Sequence, residues 1–131
     1  MKKCLVTGGC GFIGSHLARR LVSEGWNVEV VDNMSNGYLE NLDGLKIRVL
    51  PNAYFLPDFD NAMSQKPGDH QVLVISDDFS HPQILKRVRE KHYDVVFHQA
   101  AIPRVLYSVE NPSATTDVNI SGTIRLMEAC R

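Results

Sequence analysis

The segment Thr7-Gly8-Gly9-Cys10-Gly11-Phe12-Ile13-Gly14-Ser15-His16-Leu17 constrains this chain more than any other. It follows a short apolar run, Cys4-Leu5-Val6, and precedes a helical pattern. A strand, a glycine-rich turn and a helix in that order form a site for a dinucleotide pyrophosphate. The helix start offers unpaired N–H groups and roughly half a positive charge to the phosphates. The glycines fit two overlapping registers, Gly9-x-Gly11-x-x-Gly14 and Gly8-x-x-Gly11-x-x-Gly14. In either, the first glycine permits the tight turn and the middle one lets backbone approach the phosphates. Gly14 lets the helix lie close to the sheet.

The pattern that follows is one of alternating strands and helices. Lys2–Thr7 reads as a buried strand and Ile13–Glu24 as a helix with Ile13, Leu17, Leu21 and Val22 on one face. Gly25 is placed to end that helix. Asn27–Val31 is a second strand ending at Asp32, which makes a βαβ unit with an expected right-handed crossover. Asn33–Asn41 is a polar loop, with or without a short helix at its end, and Lys46–Leu50 has the makings of a short strand. Residues 51–70 read as an irregular insertion with a helical piece at Phe59–Ser64. Gln71–Ser76 is a third main strand, Pro82–Lys91 a helix with Ile84, Leu85 and Val88 inward, and Asp94–His98 a fourth strand. Pro112–Arg131 is the last helix, with Pro112 in its first turn and Val118, Leu126 and Met127 as apolar positions. Strands apolar on both faces imply a parallel sheet covered on both sides. The expected fold is α/β: a Rossmann-type parallel sheet of four main strands, spatial order third-second-first-fourth, with helices on both faces. Residues 1–131 then form one cofactor-binding domain that ends after the fourth strand and its helix.

Bulk properties exclude several alternatives. The chain has 131 residues and a net charge of −1, so no basic field points to nucleic acid or an anionic membrane. No apolar run approaches the ~20 residues that span a bilayer, and Met1-Lys2-Lys3 leads into a strand without a signal-peptide layout. Cys4, Cys10 and Cys130 show no metal spacing and no pairing pattern, which fits a cytoplasmic protein with free thiols. Cys10 is read first as a small loop residue; the rival reading is a thiol activated by the helix N-terminus. Neither the histidines nor the carboxylates have the spacing of a metal site.

Asp32 lies 18 residues after Gly14, at the end of the second strand. That is where an acid accepts hydrogen bonds from adenosine ribose hydroxyls, and the alternative reading is that it only caps a loop. The carboxylate repels a 2′-phosphate, and no Arg follows it to receive one. The expected cofactor is therefore NAD rather than NADP.

With these residues in place, the chain resembles the extended short-chain dehydrogenase/reductase group, and within it the NAD-dependent nucleotide-sugar epimerase/dehydratase family. Thr7–Leu17 is similar to that family's cofactor loop, where Gly8, Gly11, Phe12, Ile13 and Gly14 would meet the cofactor. Val31-Asp32-Asn33-x-Ser35-Asn36-Gly37 resembles its adenosine-ribose segment. The resemblance implies that Asp32 and Asn33 hold the ribose, with Asn36 and Gly37 nearby. Asp78-Phe79-Ser80-His81-Pro82 resembles its Asp-Ile-Arg-Asp-Pro stretch, with Asp78 as the adenine acceptor. His81 stands where that family has an acid that caps a helix. Phe97-His98-Gln99-Ala100-Ala101 resembles the nicotinamide-side segment. Val105-x-x-Ser108-x-x-x-Pro112 and Asn119-x-x-Gly122-Thr123 complete the likeness, which implies Asn119 near the nicotinamide ribose.

The chemistry of such proteins needs a Tyr-x-x-x-Lys pair, whose lysine lowers the tyrosine pKa so that it can move a proton. Four residues beyond Tyr38, Tyr54, Tyr93 and Tyr107 stand Leu42, Asp58, Phe97 and Asn111, so no catalytic residue is assigned. His98 reads as structural. The expectation is a cofactor-binding half whose nucleotide-sugar substrate needs a missing half or a partner chain. Its substrate domain is absent, and it arises as a truncated product or a natural short form. The rival expectation is a non-catalytic NAD-binding regulator or sensor. Covering the last helix calls for a homo-oligomer.

Overall fold

The computed structural model describes residues 1–52 and 68–131; the expected helical piece at Phe59–Ser64 lies outside the described residues. Five strands are described: β1 (Lys3–Thr7), β2 (Asn27–Asp32), β3 (Ile47–Leu50), β4 (Val72–Ser76) and β5 (Val95–His98). All pair in parallel, in the order β3-β4-β2-β1-β5. The four main strands thus take their expected order, and the short Lys46–Leu50 segment adds an outer strand beside β4.

Register explains why these strands are apolar throughout. Cys4 pairs with Val28 and Val28 with Val72, while Leu5 pairs with Glu29 and Glu29 with Leu73. Successive rows point to opposite faces. The first row, with Val6, Val30 and Val74, packs under helix α1 (Phe12–Ser23) through Ala18 and Leu21. The other face, with Leu5, Val31, Leu73 and Ile75, packs on helix α2 (Pro82–Arg89) through Ile84, Leu85 and Val88, and on the C-terminal helix through Leu126 and Ala129. Two cores on two faces keep the inner strands β1, β2 and β4 mostly apolar on both sides.

Helix ends follow local chemistry. Gly25 at φ 82° closes α1, with its N–H donating to the Val22 carbonyl and that of Trp26 to the Leu21 carbonyl. His81 does take over the capping role, its Nδ1 accepting from the Gln83 N–H at 3.2 Å. Beyond β5 come α3 (Val105–Glu110), a helix absent from the sequence reading, and α4 (Pro112–Thr116). A π-helical turn, Asp117–Gly122, then leads into α5 (Thr123–Cys130). The expected helix Pro112–Arg131 is therefore one helical path widened in its middle. Ile13 does not share the packed side of α1 with Leu21, being 66% exposed, and the apolar Met127 is 67% exposed. The small residues Gly14, Ser15 and Ala18 form the packed face of α1 instead, which turns Ile13 away from the sheet.

Candidate functional site

At the C-terminal ends of the strands lies a cavity of about 440 Å³. Ligands of open parallel sheets bind at this end, where the chain crosses from one face to the other. β1 and β2 form a crossover by way of α1, and β5 lies on the other side of β1. The cavity opens over that junction.

The glycine loop forms its floor. Gly8 has φ 67°, and a Cβ there would stand 2.8 Å from the backbone N and Cα of Ala100. A Cβ on Gly14 would fall on the Gly8 carbonyl oxygen. These two positions let α1 start directly beneath the loop. Gly11 is the N-cap, with no side-chain bond to the first turn, so the helix amides are left for a ligand. Cys10 is fully buried between loop and sheet. Burial, and then the Asp32 charge, push its thiol up to about 12, which overturns the reading of an activated thiolate.

Asp32 ends β2 and is 8% exposed. Its Oδ2 accepts from the Cys10 N–H at 3.0 Å and its Oδ1 from the Met34 N–H at 2.9 Å. It therefore caps the following turn, where Met34 takes φ 60°, and also lines the cavity. The capping reading is thus met, by a carboxylate that also faces the cavity. Asp78 lines the cavity from the β4 side, its Oδ1 held by the N–H and hydroxyl of Ser80, each at 2.8 Å.

The opposite wall is the 99–103 loop. The buried Thr7 Oγ1 accepts from the N–H groups of Gln99 and Ala100, both at 3.1 Å. Its proton is then left for His98 Nδ1 at 2.7 Å. The Thr123 hydroxyl donates to the Asn119 carbonyl and so accepts from His98 Nε2, at 2.9 Å. These bonds define a neutral imidazole with its proton on Nε2, and burial lowers its pKa in the same sense. Phe79 lies against the ring, centroids 4.8 Å apart. His98 orders the loop behind the cavity and does not enter it.

Around this one cavity stand Gly8, Gly11, Phe12, Ile13, Gly14, Asp32, Asn33, Asn36, Gly37, Asp78, Phe79, Gln99, Ala100 and Ala101. Asn119 is the one expected site residue outside the lining. Its Oδ1 accepts from the Ile102 N–H at 2.8 Å and its Nδ2 donates to the Ile102 carbonyl at 3.0 Å, so its side chain holds the loop. Ile102, Pro103 and Val118 line the cavity without having been singled out. The loop past Ala101 carried no pattern, and Val118 reaches the site from the π turn. Among the described residues no cluster of His, Cys, Asp and Glu could hold a metal ion, and no helix is long and apolar enough to cross a membrane.

Parallel strands, a glycine loop under a helix start and an acid at the end of the next strand define a nucleotide-binding Rossmann-type domain. Residues 5–131 match the family model described as GDP-mannose 4,6 dehydratase, and the chain belongs to that family of nucleotide-sugar epimerases and dehydratases. It is 32% identical over 127 residues to a putative UDP-glucose 4-epimerase of Methanocaldococcus jannaschii, covering 97% of this chain and 33% of that protein. It is 34% identical over 131 residues to a UDP-N-acetyl-alpha-D-glucosaminuronate decarboxylase of Bacillus cytotoxicus, covering 98% and 32%. The crystal structure of Thermus thermophilus UDP-glucose 4-epimerase in complex with NAD superposes with a TM-score of 0.70 at 32% identity, covering 98% of this chain and 33% of that one. The chain thus spans about a third of the length of the relatives it matches.

Proposed function

We propose that this chain binds NAD in the cavity and forms the cofactor half of a nucleotide-sugar epimerase or dehydratase. The observation that carries the reading is Asp32. Its carboxylate is fixed at the cavity wall by two backbone amides, directly beside the loop that would receive the pyrophosphate. Two N–H bonds fill two of about four lone-pair positions on a carboxylate, which leaves acceptors for ribose hydroxyls. The same charge opposes a 2′-phosphate. The site residues fit the cofactor: bare backbone at Gly8, free amides at the α1 start, Asp78 at the adenine end and the Gln99–Ala101 wall toward the nicotinamide.

When bound, NAD takes a hydride from a sugar carbon and returns it. This chain's residues orient the dinucleotide and exclude water along the Phe79 and Ile102 walls. Among the described residues, the proton-moving Tyr–Lys pair has no counterpart in the cavity lining, which holds neither residue type. Domain 1–131 is accordingly read as binding without completing the chemistry, and the nucleotide sugar as meeting further residues of a longer or second chain. The same lack favours a second reading, an NAD-binding regulatory module.

Calorimetric titration of NAD and NADP tests the first reading. NAD should bind at least tenfold tighter, a difference of ~1.4 kcal/mol, and Asp32→Asn should narrow that gap. Tighter NADP binding would sink it. Epimerisation of UDP-glucose by the 131-residue chain alone would remove the regulatory reading.

A further inference from the structure

The cavity lining has a charge problem. Among the described residues it contains two carboxylates, Asp32 and Asp78, and no cationic side chain. A dinucleotide brings two further negative charges in its pyrophosphate, against which the lining sets only the partial charge of the α1 start. One cation among the described residues stands immediately outside. Arg104 follows Pro103, the last lining residue of its loop, and its Nη2 donates to Asn36 Oδ1 at 3.1 Å. That bond joins two walls of the cavity across 68 residues of sequence.

The place where Arg104 is held matters. The 33–37 turn sits on the glycine loop: a Cβ on Gly37 would stand 3.0 Å from the Cys10 carbonyl carbon, and the Tyr38 N–H donates to the Cys10 carbonyl oxygen at 3.0 Å. Asn36 therefore holds the guanidinium on a turn that packs against the loop that would carry the phosphates. Arg104 is exposed, and its one described bond, to a neutral amide, uses one of five N–H donors. A guanidinium prefers a phosphate, which it meets with two parallel charge-assisted bonds.

We propose that Arg104 is the cation of this site, parked on Asn36 without ligand and turning to the pyrophosphate of a bound dinucleotide, so that it clasps the 33–37 and 99–103 loops around it. The inference rests on the reading of the cavity as a dinucleotide site. Release of the ligand then requires the clasp to open, so its removal acts chiefly on dissociation.

The test uses the 131-residue chain with three probes: ADP-ribose, adenosine, which lacks the pyrophosphate, and UDP-glucose, which has a pyrophosphate without adenosine. Arg104→Ala should weaken ADP-ribose about tenfold, mainly through faster dissociation, and flatten the dependence of its affinity on salt. Adenosine binding should be unchanged. Arg104→Lys should restore the salt dependence but only part of the affinity. In the ligand-free protein, amide hydrogen exchange at residues 33–37 should quicken in Arg104→Ala. Unchanged ADP-ribose affinity and salt dependence would overturn the proposal. So would an equal loss for adenosine, which marks a merely structural role, or a loss confined to UDP-glucose. A wild-type chain that binds no ADP-ribose overturns the cofactor reading itself.

Discussion

The imidazole of His98 is held between two hydroxyls whose other bonds settle its protonation state. Thr7 Oγ1 accepts from two amides and gives its proton to Nδ1, so a proton added at Nδ1 would meet a donor already pointing at it. Burial adds to this and lowers the His98 pKa below its ordinary 6.5. The unfolded chain therefore binds this proton more readily than the folded one. The stability contributed by neutral His98 is present above pH ~6.5 and is lost as the pH falls from there toward the lowered folded value. Denaturant titrations between pH 5 and 8 should show wild type gaining on His98→Asn as the pH rises; parallel curves would contradict this. The histidine's position was legible in the sequence, and so was its structural role. Its partners were not, because Thr7 and Thr123 lie 91 and 25 residues away from it in sequence.

At the scale of elements, β2 and α2 are tied by a buried polar cluster. Glu29 faces α2 in the row between Leu5 and Leu73. Its Oε2 accepts from Tyr93 Oη at 2.7 Å and lies 3.3 Å from Arg87 Nη2, and its Oε1 meets Lys3 Nζ at 2.6 Å. Arg87 and Glu29 side chains are each 5% exposed. Burial and then the Glu29 charge raise the Tyr93 pKa, which keeps its hydroxyl protonated and donating. Removing Arg87 leaves Glu29 with Lys3 and the Tyr93 hydroxyl but takes away a buried cationic partner, so Arg87→Met should cost about 2 kcal/mol. Arg87→Met with Glu29→Leu should cost clearly less than the sum of the single changes. A urea-denaturation double-mutant cycle with additive losses would rule this out. Sequence reading missed the cluster because Glu29 sits in an otherwise apolar strand and Arg87 in an otherwise amphipathic helix. Neither carries a local signal, and only their register brings them together. The misplacement of Ile13 has a related cause. Helical periodicity marks bulky apolar residues as inward, whereas α1 approaches the sheet so closely that Gly14, Ser15 and Ala18 occupy that face. The strand, loop and helix order was readable because each signal is local, and the glycine loop and Asp32 followed from it; the other expected lining residues came from the resemblance to the family.

For the whole molecule, the surface beyond β5 stands out. Val105, Leu106, Val109, Ile120, Ile124 and Met127 are each more than half exposed, along α3, the π turn and α5. β5 itself is only half-buried and pairs with β1 alone among the described strands. Ile120, Ile124 and Met127 recur at helical spacing, as on an interaction face, and self-association through the last helix would cover them. Light scattering across a concentration series should show mass rising above 14.7 kDa, and Ile124→Ser with Met127→Ser should lower it. A constant monomer would argue against self-association.

The sheet order also sets a timetable for synthesis. β1 is made before β2, which covers one of its edges soon after. Its other neighbour, β5, begins 91 residues beyond Cys4, since Cys4 pairs with Val95. A ribosome adding about 5–20 residues per second takes roughly 5 to 20 s to cover that distance. For that interval the nascent chain carries a strand whose Cys4, Leu5, Val6 and Thr7 end fully buried, with one side still unpaired, which makes β1 the natural place for a chaperone to hold it.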